Sequence, residues 1–313
     1  MSSGRWLTRK RRTWLFLVLI VLTLYVLIPQ LAVFHSSWSL LRHPRMSWVI
    51  LSLATTGMTY LVGAITLSFL ALKPLDYPRT VLVQLAAMFL NRLLPAGIGA
   101  LGANLAYLRR QGHSVIQATA VVTANNAIGL VGHGILLLGA LLLFPNAIND
   151  LHHPTAAMVL RALAGLAILL LLVLLIWGRR RISRLLRGLR RQLVAYGQRP
   201  YSLAAALFSS MLLTMFNVLS LYYCVRALGI QLPVAIVFII FSFGISAATA
   251  VPTPGGVGGF EAGLTAGFVA YHVPGPTALA IALLYRLVSY WLPLLPGGLA
   301  LLISQRLKLL VRN

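Results

Sequence analysis

Acidic side chains are scarce in this chain, and the one best placed to do chemistry is Glu261. The 313 residues hold three Asp and Glu against 26 Lys and Arg. Asp76 and Asp150 fall in polar connecting stretches. Glu261 instead follows Pro252-Thr253-Pro254-Gly255-Gly256-Val257-Gly258-Gly259-Phe260 within an apolar region. A carboxylate at the centre of a membrane span costs about 2.5–3.5 kcal/mol on insertion scales. It therefore calls for a cavity or a partner, and Arg286, some ten residues into the next apolar run, is the natural one. Two roles fit Glu261. It locks the broken segment to the following helix through Arg286, or it takes up a proton or a cationic group during transport.

A second pair, Asn91 and Arg92, precedes another broken motif, Pro95-Ala96-Gly97-Ile98-Gly99. Arg92 either contacts a phosphate at the mouth of an inner cavity or snorkels to the interface. Arg161 and Arg226 lie near helix ends, where snorkelling is the better reading. Asn125, Asn126 and His133 are polar residues in one apolar run, the kind that hydrogen-bond between helices. His113 reads as a loop residue and Cys224, the single cysteine, as a packing residue. No His, Cys or acid cluster has metal-ligand spacing, and neither a GxxxxGKS phosphate loop nor a GxSxG elbow occurs. Neither a cofactor nor an enzymatic activity is expected.

The elements that position these residues follow from composition. Hydrophobic residues make up 59% of the chain, charged residues 9%, and the mean hydropathy is +0.90. Soluble domains carry about 25% charged residues. The net charge of +23 raises the question of nucleic acid. Yet 20 of the 26 basic residues fall in the short segments 1–12, 73–79, 109–112, 179–199 and 304–313. That is the positive-inside pattern of cytoplasmic loops, and it speaks against nucleic-acid binding.

Apolar runs predict full spans over about 13–34, 47–72, 115–144, 155–177, 201–228 and 277–303. The first is too long for a secretory leader and lacks a small-residue cleavage site. Both termini are expected in the cytoplasm. Residues 80–110 and 233–271 are apolar but broken by Pro and Gly. Their arms are short for a span, so each reads as a re-entrant hairpin, the first from the cytoplasmic face and the second from the opposite one. In 179–199, Ile182, Leu185, Leu186, Leu189 and Leu193 fall at helical spacing. Arg179, Arg180, Arg181, Arg184, Arg187, Arg190 and Arg191 lie between them. That pattern predicts an amphipathic helix on the inner leaflet, or a simple topology anchor.

The two breaks align at an offset of 159 residues. Pro95, Gly97, Gly99, Ala103 and Leu105 match Pro254, Gly256, Gly258, Ala262 and Leu264. Each half, about 1–145 and 155–313, reads helix, helix, broken hairpin, helix. One half starts inside and the other outside. The expected fold is an all-α polytopic membrane protein, a single domain over 1–313, with about six full spans and two re-entrant hairpins in an inverted repeat. Gly/Pro-interrupted segments at corresponding positions point to a midplane site. The alternative is that these residues only kink tightly packed helices.

The stretch Pro252 to Ala262, with Tyr285-Arg286 and Pro293, resembles the flippase-like family of the lysylphosphatidylglycerol synthetase transmembrane region. Asn91-Arg92-Leu93-Leu94-Pro95-Ala96-Gly97-Ile98-Gly99 and Tyr107 to Gly112 resemble the first-half motif of that family. The resemblance spans about 47–303. It implies a lipid-handling role in a cytoplasmic membrane. In the multiple peptide resistance factors such a region moves an aminoacylated phospholipid, followed by a soluble transfer domain that is not found before Asn313 here. Other members are associated with polyprenol-linked sugars. The chain departs from the family at Ala100, where an acid is common, and at Asn125-Asn126, where a Glu-Arg pair is common. The expectation is a flippase or transporter of an anionic or lipid-linked substrate, centred on Glu261 and Arg286. The alternatives are a proton-coupled small-solute transporter and a membrane partner of a lipid-modifying enzyme.

Overall fold

The computed structural model describes residues 44–94, 97–144, 199–250 and 253–310, and no strand occurs among them. The expected spans over 13–34 and 155–177, the arginine-rich segment up to Arg191, Pro95, Pro252, Asp150 and Arg161 lie outside these residues.

Helix α1 is Met46–Leu70 and stops just before Lys73-Pro74. Helix α2, Tyr77–Leu93, starts on Pro78, whose missing N–H costs nothing in a first turn. Helix α3 is Ile98–Arg110. Helix α4, Val115–Leu143, opens with a capping box. The Gln117 N–H donates to Ser114 Oγ at 3.2 Å, and the Ser114 N–H donates to Gln117 Oε1 at 2.9 Å. The second half repeats this order: α5 Pro200–Ala227, α6 Val234–Ala250, α7 Gly259–Ala270 and α8 Gly275–Arg286. A π-helical turn over Leu287–Trp291 joins α8 to α9, Leu294–Arg306.

Among the described residues, four stretches are long and apolar enough to cross a membrane: Met46–Leu70, Val115–Leu143, Pro200–Ala227 and Gly275–Arg306. The hairpin arms are not. Seventeen residues in α2 and α6 rise about 25 Å, and 13 or 12 residues in α3 and α7 about 20 Å. A hydrocarbon core is about 30 Å thick. Both breaks stand where the sequence puts them. The last expected span, 277–303, lies within the continuous stretch Gly275–Arg306, which carries a π turn for a reason that belongs to the site below.

The offset of 159 residues carries α1, α2 and α3 onto α5, α6 and α7 to within about five residues, and α4 onto the stretch Gly275–Arg306 that α8, the π turn and α9 form together. The first members of the two halves, α1 and α5, pack against each other antiparallel. The Arg45 N–H donates to Ala227 O, Ser52 Oγ to Ser220 O at 2.8 Å, and Thr66 Oγ1 to Ser209 Oγ at 2.9 Å, so partners descend α5 as α1 is climbed. An inverted repeat requires that sense of packing. Hydroxyl bonds are suited to this seam, since lipid offers helices no hydrophobic drive to associate. Large apolar side chains face outward on α4 and α9, among them Leu130, Leu142, Leu295 and Leu299. Lipid accommodates such a surface and water does not.

Each hairpin closes on glycine. A Cβ on Gly99 would stand 2.3 Å from the Leu90 carbonyl, and one on Gly263 would stand 2.8 Å from Phe243 O. Only a residue without a side chain lets the arms approach so closely.

Candidate functional site

Glu261 and Arg286 meet as the sequence predicts. The Arg286 Nε–H donates to Glu261 Oε1 at 2.8 Å, and Nη2 reaches Oε2 at 3.4 Å. Both residues are 7% exposed. Nη2 also donates to Gly256 O at 3.0 Å and Gly255 O at 3.2 Å. Glu261 Oε2 accepts the Gly258 N–H at 2.7 Å, so the carboxylate sits on the N-terminal turn of α7, where the helix dipole favours negative charge. One guanidinium therefore holds both the break and the acid that follows it.

The break can wrap this way because Gly255, Gly256 and Gly258 take positive φ angles of 62°, 65° and 88°. At Gly255 space is limiting as well. A Cβ there would lie 2.3 Å from Tyr290 Cε2. Thr253 Oγ1 donates to Val257 O across the turn. Gly259 is buried at the start of α7. Pro254 opens the 3-10 turn, Pro254–Gly256.

Arg92 belongs to the same cluster. It points inward, at 6% exposure, which excludes snorkelling. Its Nη2 donates to Ser289 O at 2.6 Å and to Tyr60 Oη at 3.0 Å. The Ser289 carbonyl is available for a covalent reason. Its partner in a regular helix is the N–H four residues on, and that residue is Pro293, which has none. The chain relaxes through a π turn in which the Leu292 N–H bonds Leu287 O. The expected helix over 277–303 is present and carries this turn in its middle, and the orphaned carbonyl is where the first half grips the second.

Tyr290 ties the two arginines together. Its ring centroid lies 5.5 Å from Arg92 Cζ and 5.0 Å from Arg286 Cζ, and its hydroxyl donates to Arg92 O at 3.0 Å. Arg286 also stands over Phe260, at 4.6 Å from Cζ to centroid, and Phe260 stacks on Tyr285. Cations over aromatic faces gain on the order of 2 kcal/mol or more when desolvated. Arg92 lies 15 residues into α2, about 22 Å along its axis, and Arg286 11 residues into α8, about 16 Å. The first hairpin thus brings Arg92, and the second Glu261, to one buried cluster with Arg286 of α8.

Asn91 does not join this cluster. Its Oδ1 is buried, accepts no hydrogen bond and lies 3.7 Å from a Cβ built on Gly97, the left-handed residue (φ 75°) that starts α3. Arg226 stacks on Trp48 at 5.3 Å. His133 Nε2 bonds Ser242 Oγ at 3.2 Å between α4 and α6, the interhelical role expected of it. Cys224 is buried against Ser52. His113 is the loop residue expected, in the connection between α3 and α4, and it is buried there, as described below. Tyr290, Ser289, Tyr60 and Phe260 are missed by sequence reasoning. Tyr290 had a signal, one turn after Arg286; Tyr60 had none. Among the described residues no group of three His, Cys, Asp or Glu could hold a metal ion.

A family model described as the lysylphosphatidylglycerol synthase transmembrane region matches residues 13–297. A UPF0104 membrane protein of Methanocaldococcus jannaschii is 30% identical over 109 residues, 35% of this chain and 32% of that protein. One of Pyrococcus horikoshii is 27% identical over 122 residues, 39% of this chain and 36% of that protein. One of Methanothermobacter thermautotrophicus is 33% identical over 91 residues, 29% and 27% of the two chains. The matched stretches thus span about a third of the length of these curated relatives. With a match over most of its length and the two broken hairpins in place, this chain belongs to the lysylphosphatidylglycerol synthase transmembrane-region family of membrane proteins.

Proposed function

We propose that the protein moves a lipid or lipid-linked headgroup across the cytoplasmic membrane, with both chain termini on the cytoplasmic side. The observation that carries this reading is the Glu261–Arg286 pair, buried at the break of one hairpin and coupled through Tyr290 to Arg92 of the other. Irregular backbone at membrane depth is tolerated where it is packed in protein or lines a cavity. Two half-length hairpins meeting at mid-depth supply such a place from both faces. Tails would stay in lipid while the headgroup passes between the hairpins.

Opening the pair without a substitute strands a buried charge, at about 3–5 kcal/mol. Exchanging one partner for another avoids that cost. A headgroup with an anionic phosphate substitutes for Glu261 on Arg286, and the freed carboxylate takes a cation, a hydroxyl or a proton. The passage of the headgroup is thereby tied to the state of the pair. The basic segment 179–199 would hold the assembly against anionic inner-leaflet lipid, each cation gaining about 1 kcal/mol near the surface.

The test is headgroup-resolved lipid translocation in proteoliposomes, comparing the natural protein with Glu261→Gln and Arg286→Ala at matched folding. Faster translocation than in protein-free liposomes, lost in both variants, is the expected result. Rates no faster than in empty liposomes, across anionic phospholipids and polyprenyl phosphates, would overturn the reading.

A further inference from the structure

The charges of the buried cluster do not balance. Arg286 has Glu261, but Arg92 has no carboxylate among the described residues. Asp76 pairs at the surface with Arg79 at 3.1 Å. Both acceptors of Arg92 are neutral, the Tyr60 hydroxyl and the Ser289 carbonyl, and both are served by Nη2. Its Nε–H and Nη1 groups meet no acceptor among the described residues. A cation 94% removed from solvent, with donors to spare and no counter-charge, is a costly arrangement unless an anion completes it.

The two halves differ in charge at their breaks. In the second half Glu261 stands at the start of α7 and accepts the Gly258 N–H. At the 159-residue offset its counterpart is Gly102. The start of α3 has no side-chain cap and no acid in its first turn. The second hairpin carries a resident anion at its break, and the first carries a cation, an uncapped helix start and no anion.

We propose that Arg92 is an anion receptor for a phosphate group. This rests on the headgroup-site reading above and names the chemistry that the site takes. Phosphate suits it because its first ionisation survives burial, so it brings charge without first losing a proton. Its oxygens match the planar donor fork of a guanidinium. The Ser289 carbonyl holds Arg92 until the anion arrives, since a neutral acceptor cannot compete with a charged one. A phospholipid and a free phosphate offer the same group, and the experiment separates them.

Purified full-length protein in neutral detergent is titrated with dioleoylphosphatidic acid, with dioleoylglycerol, which has the same tails and no phosphate, and with inorganic phosphate. Its thermal midpoint is followed. Phosphatidic acid is expected to raise the midpoint saturably and dioleoylglycerol not to. Arg92→Gln is expected to weaken the apparent affinity about 10- to 100-fold, the loss of one or two charge-assisted bonds, and Arg92→Lys less. A matching response to inorganic phosphate assigns the receptor to a soluble phosphate; a response to phosphatidic acid alone assigns it to lipid. Equal shifts from phosphatidic acid and dioleoylglycerol overturn the proposal without any variant. So does undiminished affinity in folded Arg92→Gln protein. Phosphate binding without translocation removes the flippase reading and leaves the receptor. Translocation with no phosphate response removes the receptor and leaves the flippase.

Discussion

Arg92 grips the carbonyl of Ser289 at 2.6 Å, a contact between residues 197 apart in sequence. The bond exists because Pro293 cannot claim that carbonyl for the helix. Arg92 therefore takes up an orphan of the second half and joins the two hairpins. Replacing Pro293 with Ala supplies the missing N–H. The helix is then expected to regularise across 287–297 and to compete with Arg92 for the oxygen. Amide hydrogen exchange should slow in 291–295 and quicken at the end of α2, over 88–94. Unchanged exchange at both places would show that the π turn has another origin.

The Glu261–Arg286 pair is expected to be costly to break singly and cheaper to remove whole. Glu261→Gln leaves Arg286 on the two glycine carbonyls without its counter-charge. Arg286→Met leaves a buried carboxylate on the Gly258 N–H. Each single change should destabilise by about 3–5 kcal/mol, and the double variant by clearly less than their sum. Thermal unfolding in one detergent measures all four corners of the cycle. Additive losses would mean that the two side chains do not interact.

The pair was legible in the sequence because one acid in an apolar run has few remedies, and Arg286 is close by. Helix ends were legible for a similar reason: the apolar runs stop at local signals such as Lys73-Pro74, which act within a turn. The breaks at Gly97 and Gly255 belong to the same class. The direction of Arg92 was not legible. A long cation near a helix end reaches the interface or the interior according to what faces it, and here Tyr60 and Tyr290 face it from 32 and 198 residues away. Tyrosines in apolar runs resemble ordinary core residues until such a partner is known. The π turn was half legible, since Pro293 announces a missing donor but not which group takes its place.

Gly255 and Gly258 separate two costs that glycine usually conceals. Both have positive φ, but a Cβ on Gly258 meets nothing within 4 Å, whereas one on Gly255 lands on the Tyr290 ring. Gly258→Ala should therefore cost backbone strain alone, and more than the left-handed penalty of about 1–2 kcal/mol, since its ψ of −54° lies outside the left-handed helical region. Gly255→Ala should add an overpacking cost of about 1–3 kcal/mol and displace Tyr290. Intrinsic fluorescence of Trp291, which packs on Tyr290, should shift in the second variant and not in the first. Unshifted Trp291 emission in folded Gly255→Ala protein would contradict the tight contact at Gly255.

His113 makes the connection between α3 and α4 sensitive to acid. It is buried, its Nδ1 donates to Leu108 O at 3.0 Å, and its Nε2 accepts the Lys73 N–H at 3.2 Å. A carbonyl can only accept and a backbone N–H can only donate, so the ring must be neutral with its proton on Nδ1. Burial pushes its pKa below the usual 6.5 and the nearby Lys73 pushes the same way, against the bond to Leu108. The unfolded chain then binds the proton more readily than the folded one. This contribution to stability is whole above about pH 6.5 and is lost as pH falls through the folded pKa. Lys73 Nζ also donates to Gly112 O, so protonation would loosen both connections that the lysine joins. The His113→Gln variant keeps a donor and an acceptor but does not titrate. The thermal midpoint of the natural protein should fall relative to that variant between pH 7 and pH 5, and a constant difference would show that His113 carries no proton linkage.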